Sequence, residues 1–250
     1  MDVLYSILFF LFGSLFASFI QLVAFRLPNK ETLLGRSYCP NCHVDLRFID
    51  VLPIIGYLIN KGRCHSCHEK ISISYLLTEL LGGILFVISY LLIGFELELI
   101  VALVMILVLL AESISDINQM IVIDKIWMIG IIPIIIVRII QGHFSQYLIS
   151  SLVMFGLLFL ILFLGRLYAK KEVLGGGDVK LYLFIGFVLL LPESFLSLFL
   201  ASVFGVIFAS IRKKDKKSYL PLVPFIFLGV IVSYFFGSMF IEWYLNLLGM

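Results

Sequence analysis

The chain has 250 residues, of which 62% are hydrophobic and 14% charged, with a mean hydropathy of +1.15 and a formal net charge of +2. Water-soluble domains carry about 25% charged residues, so this composition excludes an ordinary soluble protein and leaves a multi-pass membrane protein. A charge this close to neutral gives no reason to expect a nucleic-acid partner.

Apolar stretches of bilayer-spanning length predict an all-α, polytopic membrane helix bundle of about eight transmembrane helices. They fall at 3–25, 73–94, 97–114, 124–141, 146–168, 178–191, 194–211 and 220–246. The first begins Met1-Asp2, with no basic start and no clear small-residue cleavage site, and reads as a retained anchor rather than a signal peptide. The sixth is short enough to dip into the membrane instead of crossing it. The expected organisation is a first transmembrane helix at 1–25, a polar insert at 26–72 and a main transmembrane domain at 73–250. Every Lys and Arg except Arg138 falls on one side of this eight-span arrangement: the insert, Lys125, Arg166, Lys170, Lys171, Lys180 and the run Arg212, Lys213, Lys214, Lys216 and Lys217. The positive-inside rule makes that side cytoplasmic and puts both termini outside. The basic runs also attract anionic lipid.

The insert holds all four cysteines, as C-x2-C (Cys39, Cys42), a gap of 21 residues, and C-x2-C (Cys64, Cys67). Each pair offers two thiolates from one tight turn, and two such turns complete a tetrahedral zinc site. A reducing cytoplasmic face argues against disulfides; unligated thiols or a redox pair are the alternatives. His43, His65 and His68 read as neighbours of the knuckles, since four sulfurs suffice. So closed a site serves folding, supplying energy that a small zinc-ribbon-like insert lacks in its core.

Two aspartates lie at the predicted cytoplasmic ends of helices: Asp116 in "ESISDINQMIVID", and Asp178 behind the glycines of "VLGGGDVKLY". Ionisable groups at the membrane boundary invite a functional reading. Two adjacent aspartates can share one proton, so that one activates water while the other polarises a carbonyl. Three consecutive glycines predict a flexible hinge that lets a substrate backbone approach and the acid adjust. By itself G-G-G-D also fits a loop with a helix-capping aspartate, and Asp116 a solvated helix end. Glu112, four residues before Asp116, shares its helix face and either tunes that acid or takes a buried structural hydrogen bond. Lys180 stabilises the Asp178 carboxylate, contacts substrate or snorkels. Trp127 and Trp243 read as lipid-interface anchors.

These stretches resemble the prepilin leader peptidases, or type IV prepilin peptidases, of the G-x-G-D aspartyl protease class. "GGGDVK" is similar to the family's G-x-G-D-x-K motif and "DINQMIVID" to its D-x6-P-D motif, with Ile123 in place of the proline and Asp124 as the closing aspartate. "GSLFASFIQLVAFRLP" resembles the family's opening segment, with Ser18 where asparagine is usual. The tetra-cysteine loop resembles the family's cytoplasmic loop, trailing Tyr75 and Glu79 included.

The resemblance implies Asp116 and Asp178 as the catalytic pair, Asp124 as a structural residue or an alternative dyad member, and Gly175, Gly176, Gly177 and Lys180 near substrate. It implies cleavage of the basic, glycine-ended leader of prepilin or pseudopilin precursors at the cytoplasmic face of a bacterial inner membrane. It further implies S-adenosylmethionine-dependent methylation of the new N-terminus. A presenilin-like G-x-G-D protease, a proton-coupled transporter using the same acids as a relay, and an inactive zinc-ribbon docking protein are the competing readings.

Overall fold

The computed structural model describes residues 1–169, 175–211 and 220–247. Lys170, Lys171, Arg212, Lys213, Lys214, Lys216 and Lys217, which enter the orientation argument, lie outside the described residues. Among the described residues ten helices follow one another: α1 Asp2–Arg26, α2 Phe48–Val51, α3 Ile55–Ile59, α4 Ile73–Ile93, α5 Leu97–Gln119, α6 Asp124–Ile140, α7 Phe144–Ala169, α8 Gly176–Val188, α9 Leu191–Ile211 and α10 Val223–Leu247. Among the described residues the extended pairings are two isolated bridges, Tyr38–Asp45 and Arg63–Lys70. Among the described residues six helices, α1, α4, α5, α7, α9 and α10, are long and apolar enough to cross a bilayer, and the chain is a multi-pass membrane protein. The helix at the third predicted stretch is longer than 97–114: α5 runs on to Gln119, and Asp116 lies in its last turn.

Contacts divide the chain into two compact units, Met1–Leu99 and Ile100–Met250. In the first, α1 and α4 pack through small residues. A side-chain carbon on Gly13 would sit 2.6 Å from the Gly82 carbonyl oxygen, and one on Gly82 would sit 2.6 Å from Ala17 Cβ. Without a water-driven force between helices in lipid, such close backbone approach supplies much of the attraction. Ser72 starts α4 by accepting the Ser74 N–H, and Gly94, at φ 74°, ends it in a conformation that other residues avoid. Gln21 Nε2 donates to the Tyr75 carbonyl across the pair. Glu79, buried on α4, accepts the Ile54 N–H at 2.7 Å and a hydrogen bond from Ser18. Arg26 closes the segment after α1 by donating to the carbonyls of Thr32 and Arg36.

In the second unit α8 is the central element. Val179, Leu181, Tyr182, Phe184, Ile185, Gly186, Phe187 and Val188 are all buried, the pattern of a helix surrounded by others. It packs chiefly on α7 and α6. At Gly186 a side chain would collide with the backbone of Ser151, so α7 and α8 touch main chain to main chain. With 13 residues at about 1.5 Å each, α8 reaches roughly 20 Å, short of a ~30 Å hydrocarbon core. Its last carbonyls therefore need partners inside the protein. Arg138, fully buried near the end of α6, provides them: Nε donates to the Phe187 carbonyl at 3.1 Å and Nη2 to the Val188 carbonyl at 2.9 Å. Its guanidinium also lies 3.7 Å from the centre of the Tyr147 ring, and Ser150 donates to the Leu189 carbonyl. The one basic residue that breaks the charge asymmetry is thus the C-terminal cap of a helix too short to cross the bilayer.

Candidate active site and metal centre

The glycines before Asp178 open a helix. Gly175 is the N-cap of α8, and Gly176 and Gly177 are its first two helical residues. None of the three adopts a left-handed conformation. Their lack of side chains matters through space. A carbon on Gly177 would lie 2.7 Å from Val122 Cβ, so the start of α8 rests directly on the 120–123 segment. A carbon on Gly175 would lie 2.7 Å from Asp178 Oδ2, whereas Gly176 faces open space. Asp178 occupies the third helical position and its carboxylate reaches back to the Gly175 backbone N–H, as an acidic residue does in a capping box.

Asp116 is buried and takes a hydrogen bond from another helix start: the Val223 N–H, first in α10, donates to its Oδ2 at 2.9 Å. Pro224 occupies the next position, where its missing N–H costs no intrahelical bond. Two helix N-termini therefore supply donors and positive dipole ends to the two carboxylates. The aspartates, remote in sequence, lie within Coulombic range of each other. The neighbourhood of α5's last turn and α8's first turn is set by the short connection that touches Gly177.

Lys180 does not bond Asp178. Its Nζ lies 2.7 Å from Asp124 Oδ2, while Trp127 Nε1 donates to Asp124 Oδ1 at 3.3 Å. Asp124 thus has both oxygens engaged and ties the start of α6 to α8. Glu112, one turn before Asp116, takes a buried hydrogen bond from the Ile123 N–H at 2.7 Å. The donors from Val223 and the capping by Arg138 were not legible as site features; Pro224 and the lone off-side arginine were their only sequence signals.

In the first unit the four sulfurs gather within 4.8 Å of one another, and none is joined in a disulfide. Cys39 and Cys67, and likewise Cys42 and Cys64, are 3.9 Å apart. A tetrahedron with metal–sulfur bonds of about 2.3 Å requires sulfur separations near 3.8 Å, so the donor set fits a zinc-sized ion. The two knuckles repeat one backbone: Cys39 N–H donates to Val44 and Cys64 N–H to Glu69, with His43 and His68 both at φ 56°. His65 Nδ1 instead faces Asp50 Oδ2 at 3.0 Å. Backbone N–H groups of Cys67 and Ser66 pull the Cys64 thiol below its ordinary value, whereas Cys42, despite a backbone hydrogen bond at Val44, is raised to about 11 by burial and the neighbouring thiols.

Behind the knuckle, Arg47 and Asn60 donate to Asp50. The Arg47 guanidinium holds the Asp50 carboxyl well below the usual carboxylate range. Its contribution to stability is present above the ordinary carboxylate pKa and is lost only as pH falls through the depressed one.

The model of the bacterial peptidase A24 N-terminal domain matches residues 11–93, and that of the type IV leader peptidase family matches residues 103–210. The chain is similar to a prepilin leader peptidase/N-methyltransferase of Bacillus subtilis (strain 168), with 30% identity over 95% of this chain and 97% of the relative. It is also similar to one of Vibrio cholerae, with 29% identity over 94% of this chain and 98% of the relative. A type 4 prepilin-like proteins leader peptide-processing enzyme of Escherichia coli is 28% identical over 91% of this chain and 93% of the relative. No solved structure matches the chain. Two family models laid end to end along the chain, and relatives that match it over nearly their whole length, lead to one conclusion: the chain belongs to the type IV leader peptidase family.

Proposed function

We propose that this protein removes the leader peptide from prepilin or pseudopilin precursors at the cytoplasmic face of a bacterial inner membrane, with Asp116 and Asp178 as the catalytic pair. The observation that supports the assignment is that the carboxylates of α5 and α8 lie within Coulombic range of each other, each beside a helix N-terminus. Helix N-termini stabilise negative charge there, and like-charge repulsion favours one shared proton. The ionised carboxylate takes a proton from water as its oxygen bonds to the scissile carbonyl carbon. The protonated partner gives its proton to the carbonyl oxygen, forming a gem-diol. The C–N bond then breaks as the carboxyl that took the water proton gives it to the departing nitrogen and its ionised partner takes back a gem-diol hydroxyl proton, leaving a leader carboxylic acid and a mature chain with a free amine. S-adenosylmethionine, when bound, supplies the methyl group that this amine receives.

Gly175 and Gly176 are exposed and form the side from which a glycine-ended leader approaches. Gly177 serves packing instead. Gly177→Ala is therefore expected to displace Asp178 and lower kcat, by about 10²-fold if the shift reaches 1 Å. Gly176→Ala is expected to raise KM with kcat little changed. Steady-state kinetics on a purified prepilin separate the two; equal effects on kcat would remove the distinction.

The tetra-cysteine cluster is read as a structural zinc site, because its four sulfurs leave no open position. Elemental analysis of purified protein is expected to find one zinc per chain. Cys39→Ser is expected to lose it and to render the 26–72 segment protease-sensitive while the membrane helices stay protected. Mass spectrometry of the processed N-terminus tests the cleavage and methylation readings together.

A further inference from the structure

Where the D-x6-P-D pattern has proline, this chain has Ile123, and with it a backbone N–H that proline lacks. That position is buried, and a buried N–H needs an acceptor. The acceptor is Glu112 Oε2, at 2.7 Å. Glu112 is fully buried, and its other oxygen, Oε1, has no hydrogen-bond partner among the described residues. The bond fastens a short and strategically placed segment. Met120 turns the chain after α5 at φ 57°. Val122 lies against Gly177. Ile123 is the N-cap of α6, and the next residue, Asp124, holds Lys180. Both supports of the first turn of α8 therefore flank the residue that Glu112 secures.

We propose that Glu112 is a positioning residue that replaces the backbone constraint of a proline. As an acceptor oxygen for the Ile123 N–H it fixes the 120–123 segment, and through Val122 and Asp124 it fixes the turn carrying Asp178. The proposal rests on the assignment of Asp178 to the catalytic pair.

It is tested by a double-mutant cycle on full-length protein in detergent, reading kcat and KM for prepilin cleavage and, separately, thermal unfolding. Glu112→Gln retains an acceptor oxygen and is expected to keep kcat within roughly a factor of two, whereas Glu112→Leu orphans the N–H and loses about tenfold or more in kcat. Ile123→Pro removes the donor, so the Glu112→Leu/Ile123→Pro double variant is expected to recover most of the lost kcat and melting temperature. A glutamine variant as impaired as the leucine variant would overturn the proposal, because the carboxyl would then act through its proton or charge. So would additivity, with proline failing to rescue leucine in both readouts. Asp178→Asn is run alongside: if it still cleaves, the catalytic assignment fails on its own, and the melting temperatures of the cycle still decide whether Glu112 and Ile123 are coupled.

Discussion

Asp178→Asn and Asp116→Asn are each expected to lower leader cleavage at least about 10³-fold, within the range that general acid–base groups supply. The double variant should fall no further, because residues that act as a unit lose their effect together. Asparagine preserves volume and an acceptor oxygen, so the Gly175 and Val223 hydrogen bonds survive and folding should be spared. Melting temperatures near wild type with cleavage at background would separate chemistry from stability. If Asp116→Asn retained substantial activity while Asp124→Asn did not, the pair would have to be reassigned to the acid that now holds Lys180.

The second large effect belongs to Arg138. Its substitution by Met removes a buried cation and leaves the Phe187 and Val188 carbonyls without their donors at membrane depth. Breaking such a buried charged arrangement costs on the order of 3 kcal/mol or more. A marked drop in melting temperature is expected, with cleavage reduced because α8 loses the anchor at the end opposite Asp178. Arg138→Lys should sit between the two, since an ammonium does not reproduce the planar fork that spans two carbonyls. A methionine variant with wild-type melting and activity would show that this short helix is held by packing alone.

The helices were largely legible from the sequence because hydropathy over a bilayer-length window is a strong signal. The eight predicted stretches match α1 and α4–α10 in number and order. The tetra-cysteine site was legible because its ligand spacing is local. What failed was inference from residue type without knowledge of neighbours. Three glycines suggested mobility, yet Gly176 and Gly177 begin a helix, and Gly177 is small because Val122 lies against it. Lys180, two residues from Asp178 in sequence, left three roles open: stabilising that carboxylate, contacting substrate or snorkelling. In the fold its nearest carboxylate is Asp124, which no sequence spacing indicated. Arg138 looked like an exception to a topology rule. Its role follows from the 13-residue length of α8, visible only once the helix ends are known. Glu79 and Glu112, the acids best placed for a proton relay, each accept a backbone N–H instead, which gives them structural work.

The central claim, that residues 116 and 178 share one site, is open to direct chemical measurement. Asp116→Cys/Asp178→Cys protein, with added zinc to occupy the native cysteines, is treated with a short reagent carrying two thiol-reactive ends and the peptides are mapped. Asp124→Cys/Lys180→Cys serves as the positive control, because those side chains meet at 2.7 Å. A cross-linked peptide joining positions 116 and 178 is the predicted result. Efficient linkage in the control with none between 116 and 178 would contradict the account.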